Sequence, residues 1–468
     1  MVNAESNLAK AKLLIVISSD NYVRNYITTD AFKELKKDYK CSYLLSKAVK
    51  DSSHFSSDDN VRYYGFDQGM HSKHFKMFTL LMWHYRNKSK SFKFRIMRTY
   101  ELNLLFPENI NLFIRALKII WRVLRWLKNK SVLYLFSNRV VFPLYYKHLK
   151  KTLVINPDIA SLIEELRPAL VLFPSSAYEP DGIDLVRVCN KFKIPTLFLV
   201  DNWDNLSSKS VLWVKPTHLG VWGEQSVEHA CEIQGFHINQ VTCLGTPRFD
   251  EYFRVRDTCL NSYFDYKYIL FVGTAMAYDE AGALEKLNKI ITENQGLFAG
   301  VKLVYRPHPW RQGADTIIGM NLAHVVVDPQ LVDTYSRKDS VQRAQPAISY
   351  YPSLLQNAEF IIGGLTSMLI EALIFRKRFL ALVYDDGKHL TSMHNAFKYS
   401  KHFEGLDTVE AINLCDNINK LEDILIDVWQ RRDNLDAEKV DGQRRYYYYD
   451  DSRIYGERLR DLCKDILH

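Results

Sequence analysis

Short, wholly apolar runs of about five residues alternate with stretches of helical period along most of this chain. The first run, residues 13–18, gives way to polar residues, to a helix-period stretch at 30–37 and to a second apolar run at 42–45. The pattern resumes with helical 159–166, strand 169–173, helical 182–192 and strand 196–200, and further strands are expected at 217–222 and 241–244. A strand buried on both faces shows no alternation, so such runs set between amphipathic helices predict a parallel sheet covered on both sides. A second series follows: strand 268–272, helical 283–293, strands 301–305, 325–327 and 360–362, helical 368–375 and strand 379–383. The polar, aromatic stretch 248–267 between the two series reads as a linker. The expected organisation is a doubly wound domain over 1–255 with a long insertion at about 71–150, a second over 266–440, and a last helix, 451–467, within a C-terminal segment 441–468.

Length agrees with this division, since 468 residues exceed what one hydrophobic core usually serves. With 47% hydrophobic and 25% charged residues the chain is of globular composition. Its seven cysteines are dispersed and never form a CxxC pair, which argues against a disulfide scaffold and a zinc site and for a reducing compartment. The apolar run at 13–17 is too short for a signal sequence, and no run reaches the roughly 18 residues that span a bilayer. The expected location is the cytoplasm, with room for a peripheral place on the inner face of the cytoplasmic membrane.

The net charge of +8 is not spread evenly. Residues 71–130 hold fourteen Lys and Arg against Glu101 and Glu108, a net +12, which leaves the rest of the chain at −4. Within the insertion, FIRALKIIWRVLRWLKNK sets Arg115, Lys118, Arg122 and Arg125 along one helical stripe and Phe113, Leu117, Ile120, Trp121, Leu124 and Leu127 along another. Two readings stay open. Either the helix packs its apolar face on the first domain, or it lies on an anionic membrane surface held by those four cations. Nucleic acid is not expected as a partner, because no recognition module accompanies the charge.

The chemistry-bearing segments follow strands of the second series. Strand 301–305 runs into Arg306-Pro307-His308-Pro309, a permanent cation and a switchable donor held between prolines. Strand 360–362 ends in Gly363-Gly364-Leu365-Thr366-Ser367 at a helix start, where close backbone approach and free amides suit a phosphate; Glu371, on the same helical face as Ser367, is placed to accept from ribose hydroxyls. Gly273-Thr274 follows strand 268–272 on the same rim. Taken singly, each of these is also consistent with a turn and a helix cap.

Together, in this order, these segments resemble the nucleotide-binding domain of GT-B fold glycosyltransferases. The similarity is to bacterial surface-polysaccharide enzymes, those of capsule and O-antigen (lipopolysaccharide) synthesis, related to the CDP-glycerol glycerophosphotransferases. In that group a strand-terminal R-P-H-P and a downstream G-x-x-S/T-S/T-x-x-x-E-A contact the donor's phosphates and ribose, and here they stand as Arg306 to Pro309 and GGLTSMLIEA. DNWDNLSSKS, with Asn202 and Ser210 where the group has Ser and Gly, and VWGEQSVEHACEIQGFHINQVTCLGTPRFDEYF extend the likeness into the first domain. The resemblance implies an α/β GT-B fold: two facing Rossmann-like domains with a C-terminal helix crossing back to the first. It also implies a nucleotide-sugar donor bound through Gly273, Thr274, Arg306, His308, Gly364, Thr366, Ser367 and Glu371.

Transfer chemistry further requires a carboxylate in the cleft. Asp201 and Asp204 follow strand 196–200 directly; Asp204 is preferred because it falls in the matched motif, although an Asx turn explains Asp204-Asn205 equally well. Glu179 and Asp181 follow the preceding strand, and Asn25, Asn205, Lys209 and His394 are assigned to the acceptor or donor-sugar side. No DxD pair follows a suitable strand, so neither a metal nor another cofactor is expected. The leading expectation is a glycosyltransferase carrying a sugar to a cell-surface, lipid-linked glycan acceptor. The alternatives are a CDP-polyol phosphotransferase, a sugar-nucleotide 2-epimerase of the same fold and a non-enzymatic membrane-docked scaffold.

Overall fold

The computed structural model describes residues 10–50, 54–56, 59–65, 68–86 (backbone only for 68–74), 88–100, 102, 111–177, 179–209, 211–276, 278–308, 319–331, 347–389 and 391–468. Glu101, Glu108, Ser210 and Pro309, used above, lie outside the described residues.

The first sheet holds β1 (Lys12–Ile17), β2 (Lys40–Ser46), β3 (Asn60–Tyr64), β4 (Leu170–Ser175), β5 (Thr196–Val200), β6 (His218–Val221) and β7 (Val241–Cys243), in the order β3-β2-β1-β4-β5-β6-β7. The second holds β8 (Tyr268–Val272), β9 (Lys302–Arg306), β10 (Val325–Val327), β11 (Ile361–Gly363), β12 (Phe379–Leu382) and β13 (Ile412–Cys415), ordered β10-β9-β8-β11-β12-β13. Every pairing is parallel. The central strands are apolar throughout because both faces are covered. Leu14, Val16, Val171 and Phe173 enter one core with the helices Pro157–Leu166 and Pro180–Phe192, and the intervening Leu13, Ile15, Leu170 and Leu172 enter another.

That second core is completed by the C-terminal helix Tyr455–Leu467, through Tyr455, Leu459, Leu462 and Cys463. Arg460 and Lys464 add ion pairs to Glu34 (3.4 Å) and Asp38 (3.0 Å) of the first domain. The chain thus crosses back after completing the second sheet. At the crossing Tyr448 sets its ring edge-on to Trp222 and Phe249. Gly223 leaves room for this passage, since a Cβ there would stand 2.6 Å from the carbonyl carbon of Tyr447.

Three local expectations differ from the structure. Residues 30–37 form a helix only at Leu35–Asp38; Ala31, Phe32 and Leu35 are buried at helix-like spacing, but Ala31 and Phe32 are carried by the turns that follow a π-helical segment at Val23–Ile27. The linker expected at 248–267 begins with the helix Asp250–Val255. Edge strands β3 and β13 were not expected from the pattern.

In the insertion, the helices Gln68–Arg86, Lys90–Thr99, Leu112–Phe136 and Val141–Thr152 share a small core of Phe78, Trp83, Phe92, Leu133 and Phe142, seated on Trp213 and Ile183. Leu112–Phe136 does not pack the apolar stripe named above: Phe113, Leu117, Ile120, Trp121, Leu124 and Leu127 are all exposed. Its seat is the opposite stripe, with Leu133 buried and Trp126 Nε1 donating to the Tyr100 carbonyl at 2.6 Å. Among the described residues, no helix is long and apolar enough to cross a membrane.

Candidate functional site

Strand order says where a site belongs. In each sheet the order reverses beside the first strand: β1 pairs β2 on one side and β4 on the other, and β8 pairs β9 and β11. Loops leaving such neighbours at their carboxyl ends part in opposite directions and open a crevice. Two cavities occupy these positions.

The first, about 370 Å³, lies at the carboxyl edge of the first sheet and is lined by Glu179, Asp181, Asp201, Asn205 and Lys209 with Ser18 and Ser176. Glu179 is held from four sides. Tyr22 donates to it, as do the Ser175 hydroxyl (2.6 Å) and the amide and hydroxyl of Ser176 (2.9 and 2.7 Å). Asp181 accepts from Tyr64 at 2.5 Å, and burial pushes its pKa up to about 6 against that hydrogen bond. Asp201 accepts from Asn25 Nδ2 at 2.9 Å, while Arg24 donates to the other end of the same amide at 3.2 Å. Burial raises the Asp201 pKa, opposed by Arg248 and by the Asn25 hydrogen bond. Asp204 differs: burial again favours its neutral form, but Lys209 at 3.1 Å and His402 outweigh it and hold the pKa below the usual range.

The second cavity, about 120 Å³, lies between the domains. Arg24, Arg248 and Tyr252 face it from one side, and Gly273, Arg306, His308, Thr366, Ser367 and Glu371 from the other. Glu371 is buried, which raises its pKa; Arg248, the Tyr252 hydroxyl (3.0 Å), Arg24 and Arg306 oppose the rise. Arg248 keeps its charge against burial because both Glu371 and Asp201 favour it, so this one side chain couples the two cavities electrostatically. Arg24 and Arg248 also line a wider opening of about 1510 Å³ on the side of the C-terminal crossing.

The rim is tightly built. A Cβ on Gly273 would stand 2.7 Å from the backbone nitrogen of His308, so only glycine lets the loops after β8 and β9 meet. Thr274 is buried and donates to the Leu365 carbonyl at 3.1 Å, and Gly364 packs against it. Thr274 and Gly364 therefore join two rim loops and do not line the cavity. Arg306 is sunk in an ion pair with Asp328, with Gln330 and Tyr351 on its other amino group. The helix Met368–Ile374 behind Ser367 is only seven residues long, so its dipole is small.

The structure thus brings Asn25, Glu179, Asp201, Asn205, Lys209, Gly273, Arg306, His308, Thr366, Ser367 and Glu371 to the two cavities. His394 does not join them. It is exposed on the helix Met393–Tyr399, and its neighbour Met393 is the residue that turns inward, its sulfur accepting from the Leu365 amide. Asp204 sits on the segment after β5, with its carboxylate turned to Lys209. Sequence reasoning missed Arg24, Arg248 and Tyr252. Arg24 lies beyond the first strand in a segment without a motif, whereas Arg248 stood in the PRFD stretch at the domain junction and was available as a signal. Among the described residues, no group of three or more His, Cys, Asp or Glu is placed to hold a metal ion.

No protein-family model matches the chain, and no curated protein sequence matches it. Solved structures do. The S. aureus MnaA–UDP co-structure aligns over 98% of this chain and 97% of its own at 10% identity with a TM-score of 0.50. A putative UDP-N-acetylglucosamine 2-epimerase from Listeria monocytogenes aligns over 98% and 97% at 12% identity with a TM-score of 0.52. Likeness at such identity speaks to architecture alone, and with two doubly wound parallel sheets and a returning C-terminal helix this chain has the GT-B fold.

Proposed function

We propose that the cleft binds a nucleoside-diphosphate sugar and inverts the sugar at C2, a nucleotide-sugar 2-epimerase reaction. The observation that carries this reading is the set of carboxylates in one cavity, Glu179, Asp181 and Asp201, two of them with raised pKa, linked through Arg248 to the neighbouring interdomain cavity. Inverting a carbon that bears hydrogen requires taking a proton from one face and returning one to the other, work for carboxylates that ionise nearer neutrality. The C2 hydrogen is not acidic by itself. Its removal becomes feasible when the C1–O bond to the nucleotide breaks as a C1=C2 bond forms; re-addition then returns the nucleotide to C1 and a proton to the other face of C2, with Arg24 and Arg248 holding the released diphosphate in between. Asp201 and Glu179 carry the proton steps, and Glu371 takes ribose hydroxyls. Both structural neighbours named above fit this reading, one as a UDP complex and one as a putative UDP-N-acetylglucosamine 2-epimerase.

A second reading, glycosyl transfer to a lipid-linked surface glycan, draws support from the exposed apolar and basic helix Leu112–Phe136, for which a soluble epimerisation has no use. The test is incubation with a panel of UDP-, GDP-, CDP- and TDP-sugars in D₂O without acceptor. Deuterium at C2 and a C2-epimeric product support epimerisation. Turnover only when a lipid-linked acceptor is added moves the assignment to transfer, with CDP-glycerol separating the polyol-phosphate variant. No nucleotide binding and no turnover overturns both and leaves a docked scaffold.

A further inference from the structure

The helix Leu112–Phe136 carries apolar residues on two opposite stripes, and among the described residues only one of them is packed. The packed stripe runs through Trp126, Leu133 and Phe136 onto the helices Gln68–Arg86 and Val141–Thr152. On the far side Phe113, Leu117, Ile120, Trp121, Leu124 and Leu127 recur at spacings of one, three and four. Their exposure is that of surface lysines: 71% for Phe113, 59% for Trp121 and 60% for Leu124. Past the helix end Val140 and Leu144 are exposed as well. A contiguous apolar face of this kind is rare on a monomer without a binding role.

Charge identifies the occupant. The 25 residues of the helix include no Asp or Glu, and the exposed Lys118 and Arg125 flank the apolar row, while Arg115 and Arg122 turn toward its packed side. The guanidinium of Arg125 lies 5.1 Å from the ring of Trp121, so cation and aromatic stand side by side at the same depth. A second copy of this chain would bring the same acid-free helix and no countercharge. A leaflet containing anionic lipid supplies both hydrocarbon for the row and headgroup charge for its edge. We infer that the Leu112–Phe136 helix is an interfacial anchor that lies in the headgroup region of an anionic lipid leaflet, with Phe113, Leu117, Trp121 and Leu124 inserted and Lys118 and Arg125 on the phosphates. The inference goes beyond the cleft chemistry and does not rest on it. Packing also connects the anchor to the cleft: the helix Gln68–Arg86 beneath it adjoins Lys90–Thr99, at whose start Ser89 donates to the Ser207 carbonyl at 2.7 Å, beside Asp204.

The experiment is co-sedimentation of the full chain with vesicles of phosphatidylcholine alone and with about one third phosphatidylglycerol, at low and high salt. Expected is binding to the anionic vesicles only, weakened by salt, and a drop of at least about tenfold in partitioning for both Leu117→Glu/Leu124→Glu and Lys118→Glu/Arg125→Glu. Circular dichroism and the melting midpoint should stay at wild-type values, because every substituted side chain is exposed. Absence of binding, equal binding to neutral vesicles, or binding that both variants retain overturns the inference. So does a dimer that Leu117→Glu/Leu124→Glu dissociates while vesicles bind neither form, which would give the face to a second copy. Vesicle binding is read without turnover, so its failure and a failure of the proposed reaction are separate results.

Discussion

Asn25 donates from Nδ2 to Oδ1 of Asp201 at 2.9 Å, joining the loop after β1 to the loop after β5 across the intervening β4. This fixes which carboxylate after β5 serves the cleft. Asp201 is held by a neutral amide and keeps a raised pKa, while Asp204 three residues on is neutralised by Lys209. Asp201→Asn should lower kcat by about 10²–10⁴-fold with nucleotide affinity little changed. Asp204→Asn should cost less than about tenfold in kcat, because a carboxylate held ionised by Lys209 is a weak proton carrier. Steady-state kinetics beside UDP titration separates the two, and a larger loss in Asp204→Asn would reverse the assignment.

Arg248 answers to carboxylates in both domains, Glu371 and Asp201. Arg248→Ala should weaken binding of a nucleoside diphosphate by about 10–100-fold, the worth of one or two hydrogen bonds to a charged group. Calorimetric titration with UDP and the other diphosphates measures this; an unchanged affinity would remove Arg248 from the donor site.

Glu371 should discriminate nucleoside from bare diphosphate. With Glu371→Gln, UDP affinity should fall by about tenfold while pyrophosphate competes as well as or better than before, since the change replaces one of two acceptor oxygens by a donor, removes the charge and leaves the arginines. Equal losses for both ligands would place Glu371 in support of the arginines only.

Asp181 makes stability depend on pH. Its folded pKa of about 6 lies above the ordinary aspartate value of 3.8, so the folded state holds the proton more firmly than the unfolded chain does. Its contribution is complete below the ordinary value and is lost as pH rises through the folded pKa. Asp181→Asn, which keeps an acceptor for Tyr64, should therefore stabilise the protein above about pH 6, on the order of 2 kcal/mol, and by far less near pH 4. Melting midpoints across that window check it, and a gain independent of pH would contradict it.

Gly273→Ala forces a methyl group against the backbone nitrogen of His308, which cannot swing away as a side chain would. A cost of about 1–3 kcal/mol in stability is expected, with weaker nucleotide binding as the rim opens. Thermal melting with and without UDP reads both effects.

The strands legible in the sequence are those sealed on both faces. The runs at 196–200 and 268–272 coincide with β5 and β8, because a buried parallel strand tolerates little besides aliphatic and aromatic residues. Edge strands β3 and β13 escaped because their sequences, NVRYY and INLC, carry polar residues, whereas the edge strand β10, VVV, shows in the sequence as an apolar run. The helix expected at 30–37 is largely absent: Ala31 and Phe32 reach the same core that a helix would reach, but through turns, and helix begins only at Leu35. Of the site, the rim loops of the second domain were legible because each follows a strand end directly. Their division of labour was not. Arg306 looked like an open phosphate ligand, and only the fold placed Asp328 from the neighbouring strand against it.

Sequence by itself determined the two parallel sheets, the position of the rim motifs at their carboxyl ends and the concentration of positive charge in the insertion, since periodicity and local composition are properties of neighbouring residues. Tertiary structure decided what depends on residues far apart in the chain. It decided that Arg24 and Arg248 stand with Glu371, that Asp201 rather than Asp204 keeps a raised pKa, and that the inner stripe of the Leu112–Phe136 helix is packed while Trp121 and its neighbours face outward. Both stripes are apolar, and a helical period reports that a face is apolar without reporting what covers it.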